Sequence, residues 1–104
     1  PIIGDKIKAG DKILLVAPQD IQAPKGRLIL PQVQVLRDIL DYGGIPTMVT
    51  LDKLDEGLKI FNGKPDLVIT DSQVFKQVNK KLDRSVPLTS FSILMARYKG
   101  DLDN

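Results

Sequence analysis

The chain has 104 residues, 42% hydrophobic and 27% charged, a composition typical of one globular domain. Its net charge of +2 comes from 15 basic and 13 acidic residues scattered along the chain, which argues against nucleic-acid binding. Cysteine and histidine are absent, which excludes disulfides, thiolate nucleophiles, imidazole bases and the usual zinc or iron–sulfur ligands. No apolar run approaches the roughly 18 residues of a membrane span, so we expect a cytoplasmic protein without membrane contact.

Four short apolar runs predict β-strands. Residues 13–17 and 67–69 are uninterrupted runs bounded by turn residues, which is typical of strands buried on both faces of a sheet. Residues 47–50 and 87–91 are each opened by a proline, which suits an edge strand. We therefore expect two central and two edge strands.

Three segments between these runs, and one after them, predict helices. Residues 31–42, 53–61 and 72–82 carry apolar side chains at steps of three and four, and residues 92–98 are a fourth candidate. In the first helix the recurring apolar residues are Val33, Leu36 and Leu40. Gly57 lies inside the second helix and should weaken it by about 1 kcal/mol.

The alternation of strands and helices predicts an α/β fold. We expect a small Rossmann-like three-layer fold, in which a four-stranded parallel sheet is flanked by helices. Residues 13–100 would form the domain, 1–12 an entry segment from a preceding domain, and 101–104 an exit to a following one. Residues 19–30 are the longest connection without a predicted element, and such loops are often functional.

The loop after the first strand is one candidate site, because parallel sheets bind ligands at the carboxyl ends of their strands. Asp20, Lys25, Gly26 and Arg27 lie here. The glycine and the two cations could bind an anion or contact a neighbouring domain; the ordinary alternative is a solvated loop. No P-loop and no dinucleotide fingerprint occurs in the sequence, so we expect no catalytic residue, cofactor or metal in this chain.

Asp20 and Asp71 form a second candidate site, because both follow predicted central strands. Together they could hold Mg²⁺ and accept a phosphoryl group, as carboxylates do in receiver-like signalling domains. Asp71 and Ser72 equally suit the N-cap of the third helix, which is the more frequent role of such residues. A phosphate- or Mg-responsive receiver-like domain is therefore the alternative function.

The tail is the third candidate site, because residues 91–98 are apolar on nearly every side of a helix. Such a helix needs cover on two sides, from the sheet and from a partner, although packing within one core is an equal alternative. The edge strand before it could also pair with its own copy across a two-fold axis. The predicted interface residues are Leu88, Phe91, Ile93, Leu94, Met95 and Tyr98.

Three stretches, residues 18–34, 66–75 and 87–102, resemble the dimerisation domain in the middle of HydF, the GTPase that helps to mature FeFe-hydrogenase. Together they cover more than a third of the chain. Long matches of mixed polar and apolar residues are far more specific than a short motif.

The resemblance implies a homodimer that serves as a scaffold in H-cluster assembly. It implies a parent protein with a GTP- and Mg-binding domain before this one and a 4Fe–4S cluster-binding domain after it. The chain itself would then not be an enzyme and would hold no cofactor. The partners implied for the parent are the radical-SAM maturases and the hydrogenase.

Overall fold

The structure, a computed structural model, describes residues 2–18 and 30–103. Strands and helices alternate along it, and the four strands form one parallel sheet, which confirms the predicted α/β Rossmann-like fold. The strands are β1 (Lys12–Ala17), β2 (Ile45–Thr50), β3 (Leu67–Thr70) and β4 (Leu88–Ser90). The helices are α1 (Leu30–Asp41), α2 (Leu54–Ile60), α3 (Phe75–Lys81) and α4 (Phe91–Asp103).

The strand order in the sheet is β2-β1-β3-β4. β1 and β3 are therefore central and β2 and β4 are edges, as the apolar runs and the prolines predicted. All three pairings are parallel, so the carboxyl ends of the strands lie along one side of the sheet.

Two clusters of buried side chains lie on opposite faces of this sheet. Ile13 and Leu15 of β1 pack in one cluster with residues of α1 and α4. Leu14 and Val16 point the other way and pack with residues from α2 and α3. The alternation of side chains along β1 thus separates the three layers of the fold.

The buried face of α1 differs from the stripe that the sequence spacing picks out. Val35 and Ile39 are buried, whereas Val33 and Leu40 are 44% and 52% exposed. Both sets recur at steps of three and four, so periodicity alone cannot distinguish them. The position of α1 over the sheet determines which set is buried, and it leaves the side chains of Val33 and Leu40 exposed to solvent.

The end of α1 is fixed by a glycine in a left-handed conformation. Gly43 has φ +83°, and its N–H donates to the Leu40 carbonyl at 3.1 Å. The N–H of Gly44 donates to the Ile39 carbonyl at 2.9 Å, which completes a Schellman cap. This cap turns the chain directly into β2.

Gly43→Ala is expected to lower the free energy of unfolding by about 1 kcal/mol, because a side chain at positive φ is strained. A urea titration monitored by circular dichroism would measure the loss. Gly100→Ala is the control: Gly100 lies in α4, and nothing within 4 Å would meet its added Cβ. Equal stability of the two variants would contradict the role of Gly43.

Two short turns precede α2 and α3 and shift their predicted starts. The turn before α2 is a 3-10 turn, Leu51–Lys53. The Asp71 carboxylate accepts a hydrogen bond from the Gln73 N–H at 2.8 Å and caps a 3-10 turn, Ser72–Val74, before α3.

Gly57 in α2 lies close to the sheet. A Cβ on Gly57 would lie 3.1 Å from both the Leu14 and the Val49 side chain. The glycine thus allows close packing of α2 on the sheet, which accounts for a residue that weakens the helix.

Residues 2–11 pack against the domain, although we expected residues 1–12 to be an entry segment. Ile3 and Ile7 belong to the same buried cluster as α1 and α4. The Ile3 N–H donates to Asp38 Oδ2 of α1 at 2.6 Å, and Asp5 lies 3.7 Å from Arg97 of α4. This segment is therefore part of the folded unit.

Candidate functional site

Polar residues at the carboxyl ends of the strands serve mainly as local caps. Thr70 and Ser90 end β3 and β4 and are buried. Ser90 Oγ accepts a hydrogen bond from the Ile93 N–H at 3.1 Å, and Thr70 Oγ1 donates to the Asp71 carbonyl at 3.1 Å. These hydroxyl groups are occupied in holding the strand-to-helix turns.

The loop residues Asp20, Lys25, Gly26 and Arg27 lie outside the described residues, so the proposed anion or interdomain contact stays a prediction. The same is true of the site formed by Asp20 and Asp71. Asp71 caps its own turn, as the ordinary interpretation predicted. Among residues 2–18 and 30–103 no group of three or more acidic side chains could hold a metal ion.

One carboxylate in the turn before β4 has a shifted pKa. Asp83 accepts hydrogen bonds from the Ser85 N–H at 2.8 Å and from Ser85 Oγ at 2.7 Å. The backbone bond first, and then the hydroxyl bond, lower the pKa of Asp83 below its usual value. The carboxylate is fully exposed and stabilises a turn, so it indicates no reactive site.

Gln32 is an exception to the polar groups that serve as caps. It lies in the first turn of α1 and has no solvent exposure. Among the residues that the structure describes, neither its amide oxygen nor its amide nitrogen has a hydrogen-bond partner. A buried amide in this state costs free energy, because it has lost its bonds to water.

Gln32→Met is expected to raise the free energy of unfolding by about 1 kcal/mol, because methionine fills a similar volume without buried polar atoms. Thermal unfolding would measure the gain. Gln34→Met, at an exposed position of the same helix, is the control and should change stability by less than about 0.5 kcal/mol. A loss of stability in Gln32→Met would show that the amide has a partner beyond the described residues.

Two of the six residues predicted for the tail interface are buried in the single chain. Phe91 and Leu94 are 5% and 2% exposed and belong to the core cluster, so neither is available at the surface of the single chain. Leu88, Met95 and Tyr98 are half-buried, and Ile93 is exposed. An open groove of about 350 Å³ runs beside Leu88 and Ile93 between β4 and α4. A partner contact here stays a prediction, now resting mainly on Ile93.

The open edge of β2 presents a long row of backbone groups. The Ile45 N–H donates to the Asp11 carbonyl at 2.7 Å, so Ile45 turns its backbone groups toward β1. Because backbone groups alternate along a strand, Pro46, Met48 and Thr50 turn theirs toward the open edge. Proline has no N–H, and the Thr50 carbonyl begins the 3-10 turn Leu51–Lys53, which leaves two donors and two acceptors along the edge.

The open edge of β4 is shorter. The Val68 N–H donates to the Pro87 carbonyl at 2.9 Å, so Pro87 and Thr89 face β3. Leu88 and Ser90 therefore face the open side, and α4 begins at the next residue, Phe91. Such a short edge strand offers little backbone for another strand to pair with.

Several exposed apolar side chains lie on β2 itself or on the helices next to it. α1 and α2 both contact this strand, one on each face of the sheet. Among the exposed large hydrophobic residues in the described part of the chain, Ile93 lies near β4, and the others are on α1, α2, β2 or the turn before β2. They are Leu30, Val33, Leu40, Tyr42, Ile45 and Ile60.

We define the β2 edge surface as β2 with the exposed apolar residues of α1, α2 and the turn before β2. Sequence reasoning directed attention to the tail and missed this surface. One signal was present, because β2 has no charged residue over its six positions. Natural edge strands usually carry charges that prevent pairing, and their absence marks an edge that a partner can cover.

Comparison with known proteins bears on what this surface is for. No helix in the described part of the chain is long and apolar enough to cross a membrane. A search of curated proteins gave no match. The family model described as the hydrogen maturase F dimerization domain matches residues 2–100, nearly the whole chain. The chain therefore belongs to the hydrogen maturase F dimerization domain family.

Proposed function

We propose that this domain joins two copies of a hydrogenase maturation scaffold into a homodimer. The family match over residues 2–100 carries the proposal. The structure supports it physically, since a parallel sheet with an uncharged open edge and exposed apolar neighbours is suited to association. We assign no catalytic residue to this domain.

The wider role that we propose follows the resemblance to HydF. The parent would contain a GTP- and Mg-binding domain and a 4Fe–4S cluster-binding domain, and it would act in the cytoplasm. There it would meet the radical-SAM maturases and the hydrogenase during H-cluster assembly. The contribution of this domain would be to hold two sets of those parts in one assembly.

Light scattering across a dilution series of the chain tests the proposal. We expect a molar mass near twice 11.5 kDa at high concentration, falling toward 11.5 kDa as the dimer dissociates. The concentration at the midpoint gives the dissociation constant. A mass of 11.5 kDa at every concentration would contradict self-association of this domain.

A further inference from the structure

We propose that the carboxyl edge of the sheet binds a phosphate group at the start of α1, beside Gln32. The inference goes beyond the proposed dimerisation and does not depend on it. Two independent observations carry it: the buried amide of Gln32 without a hydrogen-bond partner, and the N-termini of α1 and α4 at the same edge of the sheet.

Gln32 faces the sheet at its carboxyl edge. Gln32, Val35 and Ile39 are the buried residues of α1, and their spacing of three and four places them on one side of the helix. Val35 and Ile39 pack in the core cluster with β1 and β3, so Gln32 extends this buried side into the first turn. α1 connects the end of β1 to the start of β2, and its first turn therefore lies at the carboxyl ends of the strands.

The amide of Gln32 is directed toward the N-terminus of α1, because helical side chains lean toward the start of their helix. The first N–H groups of a helix have no partner within it. Gln32 has no solvent exposure, and within the described ranges neither of its amide atoms has a partner. Its amide group offers two donors and one acceptor. Donors from one side chain and from the helix backbone thus converge at this end of α1.

α4 places a second positive helix end on the same face of the sheet. It begins at Phe91, directly after β4, and Phe91 and Leu94 pack in the same cluster as Val35 and Ile39. The N-terminus of a helix carries a partial positive charge. Neither α1 nor α4 has an acidic residue in its first turn to offset that charge. The electrostatics of this face therefore favour an anion.

The carboxylates that follow β2 and β3 serve the opposite face. Asp52 accepts a hydrogen bond from Thr50 Oγ1, and Asp71 accepts one from the Gln73 N–H. Their turns lead into α2 and α3, which pack in the cluster on the other side of the sheet. These two carboxylates are thus engaged in their own turns, away from the face that carries Gln32.

Phosphate matches the groups at this site better than a carboxylate does. Its oxygens surround one centre, so they can accept hydrogen bonds from the Gln32 amide and from the first N–H groups of α1 together. Inorganic phosphate also keeps a P–OH group near neutral pH, which can donate to the amide oxygen of Gln32. An ionised carboxylate has no such donor and would leave that oxygen without a partner.

Calorimetric titration of the chain with inorganic phosphate, against sodium chloride of equal ionic strength, tests the inference. We expect one phosphate per chain. Gln32→Met should raise the dissociation constant about tenfold or more, the loss expected for one hydrogen bond to a charged group. Gln34→Met, at an exposed position of the same helix, is the matched control and should bind phosphate as the unmodified chain does.

Thermal unfolding gives a second measurement that a purely structural role of Gln32 would not affect. In phosphate-free buffer Gln32→Met is expected to be the more stable protein. Added phosphate should raise the Tm of the unmodified chain and of Gln34→Met, but not that of Gln32→Met. If Gln32→Met does not fold, NMR of the unmodified chain serves: phosphate, and not chloride, should shift the side-chain amide resonances of Gln32.

A second titration, with glycerol 3-phosphate, distinguishes the source of the phosphate group. Tighter binding than that of inorganic phosphate supports the inference and identifies a phosphorylated organic molecule; weaker binding supports it with the free ion as ligand. Absence of phosphate binding by the unmodified chain, or equal affinity in Gln32→Met, would overturn the inference. Neither of these results bears on dimerisation, which is measured separately by light scattering.

Discussion

Leu94→Ala should lower the free energy of unfolding by about 2–5 kcal/mol, the usual cost of a large cavity in a core. Leu94 is 2% exposed and belongs to the cluster that joins α4 to α1, β1 and β3. Urea unfolding at one fixed chain concentration would measure the change, because dimerisation makes apparent stability depend on concentration.

Ile93→Ala is the control for this prediction, because the neighbouring side chain is 49% exposed and loses little burial. Its free energy of unfolding should change by less than about 0.5 kcal/mol. If Leu94→Ala kept its stability and instead dissociated the dimer, Leu94 would be the interface anchor that the sequence predicted. The expected result also means that Leu94 variants cannot test the interface cleanly.

Ile3→Ala should have an effect of the same size, about 2–5 kcal/mol, although Ile3 lies in a segment that the sequence marked as an entry segment. The side chain has no solvent exposure and packs in the same cluster as Leu94. The Ile3 N–H also donates to Asp38 Oδ2, which fixes the segment against α1. Chemical unfolding followed by circular dichroism would measure the loss.

Asp5→Ala is the matched control in the same segment. Its carboxylate lies 3.7 Å from an Arg97 nitrogen, and both side chains are well exposed, so the ion pair contributes at most about 1 kcal/mol. Equal, small losses in Ile3→Ala and Asp5→Ala would mean that residues 2–11 do not belong to the folded unit. A large loss in Ile3→Ala alone would place the start of the domain before β1.

The strands and the layer order were predictable because each has a local signal. An uninterrupted apolar run such as residues 13–17 suits a strand that is buried on both faces of a sheet. Pro46 and Pro87 lack the backbone N–H that a central strand donates to its neighbour, so they indicate edge strands. The structure confirms both the central pair and the edge pair. Asp71 was likewise predictable as a cap, because its carboxylate can accept a hydrogen bond from a backbone N–H of the turn that follows, here that of Gln73.

The features that local sequence patterns do not determine depend on contacts between distant residues. Ile7 lies between Lys6 and Lys8, and Ile3 is followed by Gly4 and Asp5, so no apolar run or sustained periodicity marks this segment as core. In the tail helix, Phe91 and Leu94 pack in one cluster with the N-terminal segment, α1 and the sheet, so they require no partner, whereas Ile93 stays exposed. Which backbone groups of β2 face outward follows only from its register with β1.

Amide hydrogen exchange at the two sheet edges tests the central claim most directly. In a dimer, the backbone N–H groups at the covered surface should exchange slowly at high concentration and quickly on dilution. The outward-facing N–H groups at the sheet edges belong to Met48 and Thr50 of β2 and to Leu88 and Ser90 of β4. Thr47 and Val49, which turn toward β1, should stay protected throughout. Exchange that does not depend on concentration at any of these positions, in a sample that is monomeric by mass, would contradict the account.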